Sequence, residues 1–496
     1  MSLTRKVAYN TIIQIIGKVL TTLISLILVG ILTRYLGVAG FGQYTTIFAY
    51  TQFFAVLADF GFFWYLVREI AKPASPNRGE PTQDRTKIIN NVLTFRSLIA
   101  LLIFALSFLV GLLIPQYHEI RFGIGIIALA SFWMTLNGTY VGIFQNELRM
   151  DKAALTDVLG RIVILGGVFY LVRGGASLDH LLWVYFLGNL VNFLASFFLG
   201  RVYVRFRPAF DFALWKEIFW QCLPISVVTI LGMIYFKIDT VMLSLLKSST
   251  DVGIYGPPYK ILEILLLYPM IFMGNVFPII TRYIYGQDER LSSAFQKSFD
   301  FLLISAVPVV VGIIFLAPRI IQIVAGPDFV SAHTIGPVWG IPATSAFVLQ
   351  ILIVAVGISF LSHLFGYTVI ALGKQTKLIW PNAFLVIFNI ILNLILIPKI
   401  SYIGAALVTV LTETLVVFFY WKVMRRYVDL KIHFDCLWKV LISGIILGLA
   451  LWLLASWSLW LLVPLGAVAY FASLWLTGGI SKEMIRQIFY HESTRI

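Results

Sequence analysis

The stretch Leu231–Arg282 reads LGMIYFKIDTVMLSLLKSSTDVGIYGPPYKILEILLLYPMIFMGNVFPIITR. Two apolar runs flank a short polar turn at Lys247–Gly253, and each run is long enough to cross a bilayer, which takes ~20 apolar residues. Four ionisable residues, Lys237, Asp239, Lys260 and Glu263, lie inside those runs or at their edges. Charge inside an apolar span is costly and marks a candidate functional position. The unit from which the chain is read is therefore a membrane hairpin that carries charge.

The rest of the sequence is built the same way. Of its 496 residues 60% are hydrophobic and 12% charged, against ~25% charged in soluble proteins. Mean hydropathy is +0.92. This composition predicts an all-α polytopic membrane protein with no separate soluble domain. A ~20-residue window finds about fourteen spans. The first three lie at 9–32, 42–67 and 90–114, those of the opening stretch at 217–245 and 253–281, the eleventh and twelfth at 376–398 and 403–424, and the last two at 435–455 and 459–478. The run 334–371 is too long for a simple crossing and predicts an irregular piece near Gly340-Ile341-Pro342. The N-terminus imitates a signal peptide, but its apolar run continues past Leu32 without a cleavage pattern and reads as an uncleaved span. Cys222 and Cys436 form no redox motif, and the six histidines show no metal-ligand spacing, so no cofactor or metal is implied.

Basic residues set the orientation. With the N-terminus in the cytoplasm, 28 of the 37 Lys and Arg fall on cytoplasmic segments. Six fall on outer loops (Arg34, Arg121, Arg173, Lys247, Arg319 and Lys399), and Lys18, Lys237 and Lys260 remain within spans. This positive-inside bias puts both termini in the cytoplasm of a cell membrane. It also accounts for the net charge of +14 through topology and anionic headgroups, with no nucleic-acid partner. With so little chain outside the membrane, function must lie between the helices.

A repeat is legible. The turn LGVAGFGQY (Leu36–Tyr44) follows the first span, and KSSTDVGIY (Lys247–Tyr255) follows the seventh, with Gly42-x-Tyr44 aligned to Gly253-x-Tyr255. An even number of spans between them makes the two sets parallel repeats, and such repeats place a substrate site at their interface. The division expected is an N-lobe over 1–208, a C-lobe over 209–430, and an extra helix pair with a tail over 431–496.

The segment Ile238–Pro269 (IDTVMLSLL…DVGIYGPPYKILEILLLYP) resembles the polysaccharide-transporter branch of the multidrug/oligosaccharidyl-lipid/polysaccharide exporter superfamily. That branch includes the Wzx-type O-antigen flippases. Leu32–Ile47, Leu57–Phe62, Ile370–Leu378 and Asn393–Glu413 fit it in the same order, so the resemblance spans most of the chain. It implies a flippase that moves a polyprenyl-pyrophosphate-linked oligosaccharide to the outer leaflet for cell-surface polysaccharide synthesis. It further implies two lobes that alternate access to a central cavity. In the related lipid II flippases the last two spans form a groove for the lipid tail. Polymerases and glycosyltransferases of the same pathway are the expected partners, with H+ or Na+ as candidate coupling ions.

Several residues are candidates for this work. Lys18 lies about eleven residues into the first span, ~16 Å deep, with no acid three or four positions away. It reads either as an ammonium for pyrophosphate or acidic sugar, or as half of an interhelical ion pair. Lys237 and Asp239 are two apart and point to different sides of their helix. The resemblance gives Asp239 a scaffold role and leaves Lys237 open. Lys260 and Glu263, three apart, either neutralise each other or divide, with Glu263 taking Lys237 and Lys260 left to bind the substrate. Asp59, near the inner end of the second span, and Glu413, mid-depth in the twelfth, are carboxylates suited to ion coupling or to structural hydrogen bonds. Asn389 and Asn393 share a helix face and read as packing.

An ion-coupled antiporter for drugs or other small molecules, from the same superfamily, is the alternative. A cationic substrate would need acids to outweigh bases in the cavity, and the three lysines oppose that. A membrane enzyme lacks support, since the outer-loop acids Glu119, Asp179, Asp251 and Asp328 sit on short separate turns.

Overall fold

The computed structural model describes residues 3–71, 81–331, 344–430 and 432–479. Among them every regular element is helical. In chain order these are α1 (Leu3–Asp59), α2 (Phe62–Ala71), α3 (Pro81–Leu113), α4 (Arg121–Asn146), α5 (Met150–Arg173), α6 (Leu178–Gly200) and α7 (Phe212–Leu246). There follow α8 (Ser249–Leu265), α9 (Leu267–Tyr285), α10 (Arg290–Val324), α11 (Ser345–Ala371), α12 (Ile379–Arg425), α13 (Asp435–Leu453) and α14 (Leu459–Leu476). Twelve described stretches are long and apolar enough to cross a membrane, which makes this an all-α polytopic membrane protein. The expected irregular piece at Gly340-Ile341-Pro342 lies outside the described residues. The chain divides into two compact units, Met1–Gly256 and Pro257–Ile496, and the boundary falls inside α8 just before Pro257-Pro258.

In the first unit α1 is broken at Gly37, whose φ of 66° is open to glycine at no steric cost. The part before the break follows α5. Asn10 Nδ2 donates to the Leu148 carbonyl at 2.7 Å, Gly17 lies against Ala154, and Tyr35 Oη donates to the Ala176 carbonyl at 2.8 Å. The part after the break runs against α3. Tyr50 Oη donates to the Ser107 carbonyl at 2.7 Å, and Asp59 meets Arg96. Contacts of α4 with α3, of α4 with α6 and of α6 with α5 make α3 and α5 run the same way. The two parts of α1 therefore run in opposite directions.

The N-terminus of α7 is fixed by its capping residue. Asp211 accepts from the Leu214 N–H at 3.1 Å and from Lys87 Nζ at 2.8 Å. The Lys87 hydrogen bond, helped by the Leu214 N–H, holds this carboxyl below the usual carboxylate range. Indole Nε1 of Trp215 donates to Asn91 Oδ1 at 3.0 Å, and the Trp215 ring stacks on Phe95 at 4.9 Å. One end of α7 thus rests on α3. At the other end Tyr117 Oη and Ser244 Oγ are 2.8 Å apart and buried.

The two echoing turns meet within this unit. A Cβ at Gly42 would overlap the Ser249 carbonyl oxygen, and a Cβ at Gly253 would overlap the Val38 carbonyl oxygen. Each glycine thus faces the carbonyl four residues before its counterpart. The contact is reciprocal, as a local two-fold relation between the turns requires. Small residues permit such close backbone approach between membrane helices.

In the second unit α12 is broken at Ile400–Ser401. Tyr420 Oη donates to Asn382 Oδ1 at 3.0 Å, and Asn389 Nδ2 donates to Thr412 Oγ1 at 3.3 Å. Both pairs are centred on the break, so α12 folds back as an antiparallel hairpin. Asn393 Nδ2 donates to Asn389 Oδ1 at 2.9 Å, which makes the two asparagines part of that packing. The hairpin α13–α14 sits on α10 through Ile304, Leu316, Val440, Leu447, Leu462 and Tyr470. Tyr470 Oη donates to the Ile304 carbonyl at 3.0 Å, and the Arg319 guanidinium donates to the carbonyls of Ala455 and Trp457 in the turn.

Candidate functional site

The charged residues within the spans fall into three kinds of surroundings. Lys18 is the exposed kind. It follows Gly17, which packs on Ala154 of α5, and its exposed neighbours are Ile15, Ile16, Val19 and Leu20. Lys18 forms no ion pair with a described carboxylate. An ammonium held at this depth is a ready partner for a phosphate or carboxylate oxygen.

Lys237 and Asp239 are the buried kind, at 8% and 3% exposure on α7. The Lys237 ammonium lies 5.6 Å from the Phe236 ring centroid, within cation–π range.

Paired residues make up the third kind. Lys260 Nζ donates to Glu263 Oε2 at 2.8 Å along α8, the mutual neutralisation that their spacing allows. Asp59 pairs with Arg96 of α3, whose side chain is 2% exposed against 33% for Asp59. Arg96 Nη1 also donates to Thr139 Oγ1 of α4 at 3.0 Å, the guanidinium lies over Gly138, and its buried Nε finds no partner among the described residues. Asp59 is the last residue of α1. Phe60 and Gly61 follow with φ of 44° and 76° and break the chain before α2, and Phe60 stacks on Phe219 of α7 at 5.0 Å. Glu413, on the second arm of α12, accepts from Ser362 Oγ of α11 at 3.5 Å.

Arg96 is the residue that sequence reasoning missed. The span 90–114 puts it six residues inside, yet the positive-inside count assigned it to the cytoplasmic segments. Its depth within the span, the same signal that singles out Lys18, sets it apart from the cytoplasmic charges. No residue of the chain announced its partner, because Asp59 and Arg96 are 37 positions apart.

Residues 7–284 match the polysaccharide biosynthesis protein family, more than half of the chain. The chain belongs to that family. A relative in Haloferax volcanii, named a probable low-salt glycan biosynthesis flippase (Agl15), is 22% identical over 327 residues, 65% of this chain. The chain spans the same share, 65%, of that relative's length. Among solved structures, the inward closed conformation of the lipid II flippase MurJ superposes with a TM-score of 0.75 at 16% identity, covering 97% of this chain and all of MurJ. An inward-facing multidrug resistance transporter of the MATE family gives 0.63 at 14% identity, covering 82% of this chain and 93% of that one. At such identities these two likenesses establish the fold alone. Within the polysaccharide biosynthesis family, the candidate residues Lys18, Asp59, Lys237, Asp239, Lys260 and Glu263 lie in the matched part and Glu413 beyond it.

Proposed function

We propose that this member of the polysaccharide biosynthesis family is a flippase. It carries a polyprenyl-pyrophosphate-linked oligosaccharide from the cytoplasmic to the outer leaflet by alternating access between two lobes. The observation that carries this reading is Lys18, an exposed mid-span cation with no ion pair to a described carboxylate, in a chain of this family. Its role is to receive a pyrophosphate oxygen in a charge-assisted hydrogen bond, a pairing of the strong kind.

The reversal of α1 at Gly37 and of α12 at Ile400–Ser401 supports fourteen crossings, two six-span lobes with an added pair, and both termini on one side, which the positive-inside count makes the cytoplasm. The reciprocal contact of Gly42 and Gly253 supports the parallel repeat. Against a small-cation antiporter, Asp59 and Glu263 are each engaged by a basic partner. Glycosyltransferases and a polymerase would supply and consume the cargo, and H+ or Na+ would be the coupling ion if one is used.

Deletion of the gene with lipid extraction tests the proposal. Lipid-linked oligosaccharide accumulates on the cytoplasmic face if the reading is right. Normal delivery to the outer face without the protein would end it.

A further inference from the structure

A basic cavity lies at the open end of the α12 hairpin. Its volume is about 470 Å³, within the ~300–1,000 Å³ of small-molecule sites. It is lined by Lys377, Lys422 and Arg426, with Trp380, Phe419 and Tyr427, and no acid is among its lining residues. None of the three cations forms an ion pair with a described carboxylate. A fourth cation, Lys374, sits 5.3 Å from the Tyr427 ring centroid.

Position says what kind of anion fits. Trp380 and Lys422 lie about twenty residues from the hairpin turn, ~30 Å at 1.5 Å per residue, which is one hydrocarbon thickness. The cavity therefore sits at a membrane interface, on the side that the positive-inside count puts in the cytoplasm. Trp380, at 82% exposure, begins a stripe of exposed apolar residues that continues through Phe384, Ile387, Ile391 and Leu394. Their spacing of three and four keeps them on one face of the helix. A headgroup in the cavity would thus have a track for its acyl chains. Several sugars would overfill the cavity, so it fits a small phosphodiester headgroup better than the glycan-bearing cargo.

We infer that this cavity binds the phosphodiester headgroup of an anionic phospholipid in the cytoplasmic leaflet. Basic pockets between helices on that side take such headgroups. Lys377, Lys422 and Arg426 contact the phosphate, Trp380 marks the headgroup level, and the stripe below it carries an acyl chain.

The test is lipid retention by the purified full-length protein, read by native mass spectrometry. The probes are phosphatidylglycerol, phosphatidylcholine, undecaprenyl phosphate and inorganic phosphate. The wild type should hold phosphatidylglycerol in preference to phosphatidylcholine. The triple variant Lys377→Gln, Lys422→Gln, Arg426→Gln should bind it roughly 100-fold more weakly, about fivefold per cation. The charge-keeping variant Lys377→Arg, Lys422→Arg, Arg426→Lys should retain it. Equal retention of both phospholipids by the wild type would overturn the inference without recourse to any variant. So would unchanged retention by the triple variant. Displacement by undecaprenyl phosphate would reassign the cavity to the cargo, and displacement by inorganic phosphate would reassign it to a soluble anion; either overturns the phospholipid. None of these readouts is transport, so the outcome does not depend on the flippase reading.

Discussion

Two of the ion pairs described inside the spans, Lys260–Glu263 and Asp59–Arg96, differ in almost every respect. Lys260–Glu263 lies along one helix, three residues apart, with the lysine side chain 41% exposed. Asp59–Arg96 joins two helices, and its arginine is fully buried against Thr139 and Gly138. The first is a local pair of a kind worth a few tenths of a kcal/mol. The second cannot lose Asp59 cheaply, because the buried Arg96 would then be a charge without water or counter-ion. The lesson is that the pair easiest to read in the sequence is the one that matters least to the fold.

Substitutions can break this contrast. Asp59→Ala should cost about 3 kcal/mol or more, since it strands the Arg96 guanidinium. A thermal melt of the purified protein should show a large drop, and the double variant Asp59→Ala, Arg96→Leu should recover much of it. Equal stability of Asp59→Ala and wild type would mean that Arg96 has another counter-charge.

The reciprocal glycine crossing comes next in size. Gly253→Ala places a methyl group on the Val38 backbone carbonyl, which no rotamer change relieves. A loss of ~1–3 kcal/mol is expected, the range for overpacked sites. Gly42→Ala should behave alike, because the contact is the same from either side. A tolerated alanine at one glycine and not at the other would contradict the two-fold relation. The smallest effect belongs to the local pair. Lys260→Met with Glu263→Gln should change stability by less than ~0.5 kcal/mol in the same melt. A loss comparable to that of Asp59→Ala would remove the distinction between the pairs.

What the sequence made legible follows the same line. The spans, the turn at Lys247–Gly253, the shared face of Asn389 and Asn393 and the reach of Lys260 to Glu263 are all set by spacing along one helix. The echo of Gly42 and Gly253 was visible as two aligned letters, but only packing shows that the two turns touch. Arg96 and the cavity of Lys377, Lys422 and Arg426 were hidden for one reason. Each reads in the sequence as a cytoplasmic charge, and position relative to the membrane does not say where a side chain goes. The break at Ile400–Ser401 falls between two spans that the sequence reads as separate helices, so sequence and structure agree on two arms. How those arms pair is visible only in the contact of Tyr420 with Asn382, 38 positions apart.

The proposed translocation is tested most directly at Lys18. In cells whose only copy carries Lys18→Ala, delivery of lipid-linked oligosaccharide to the outer leaflet should fall by at least ~10-fold, the cost of one charge-assisted hydrogen bond. The variant protein should be present at the wild-type level with an unchanged melt, because Lys18 is exposed and supports no described ion pair. Full delivery by Lys18→Ala would contradict the account and remove this lysine from the path of the cargo.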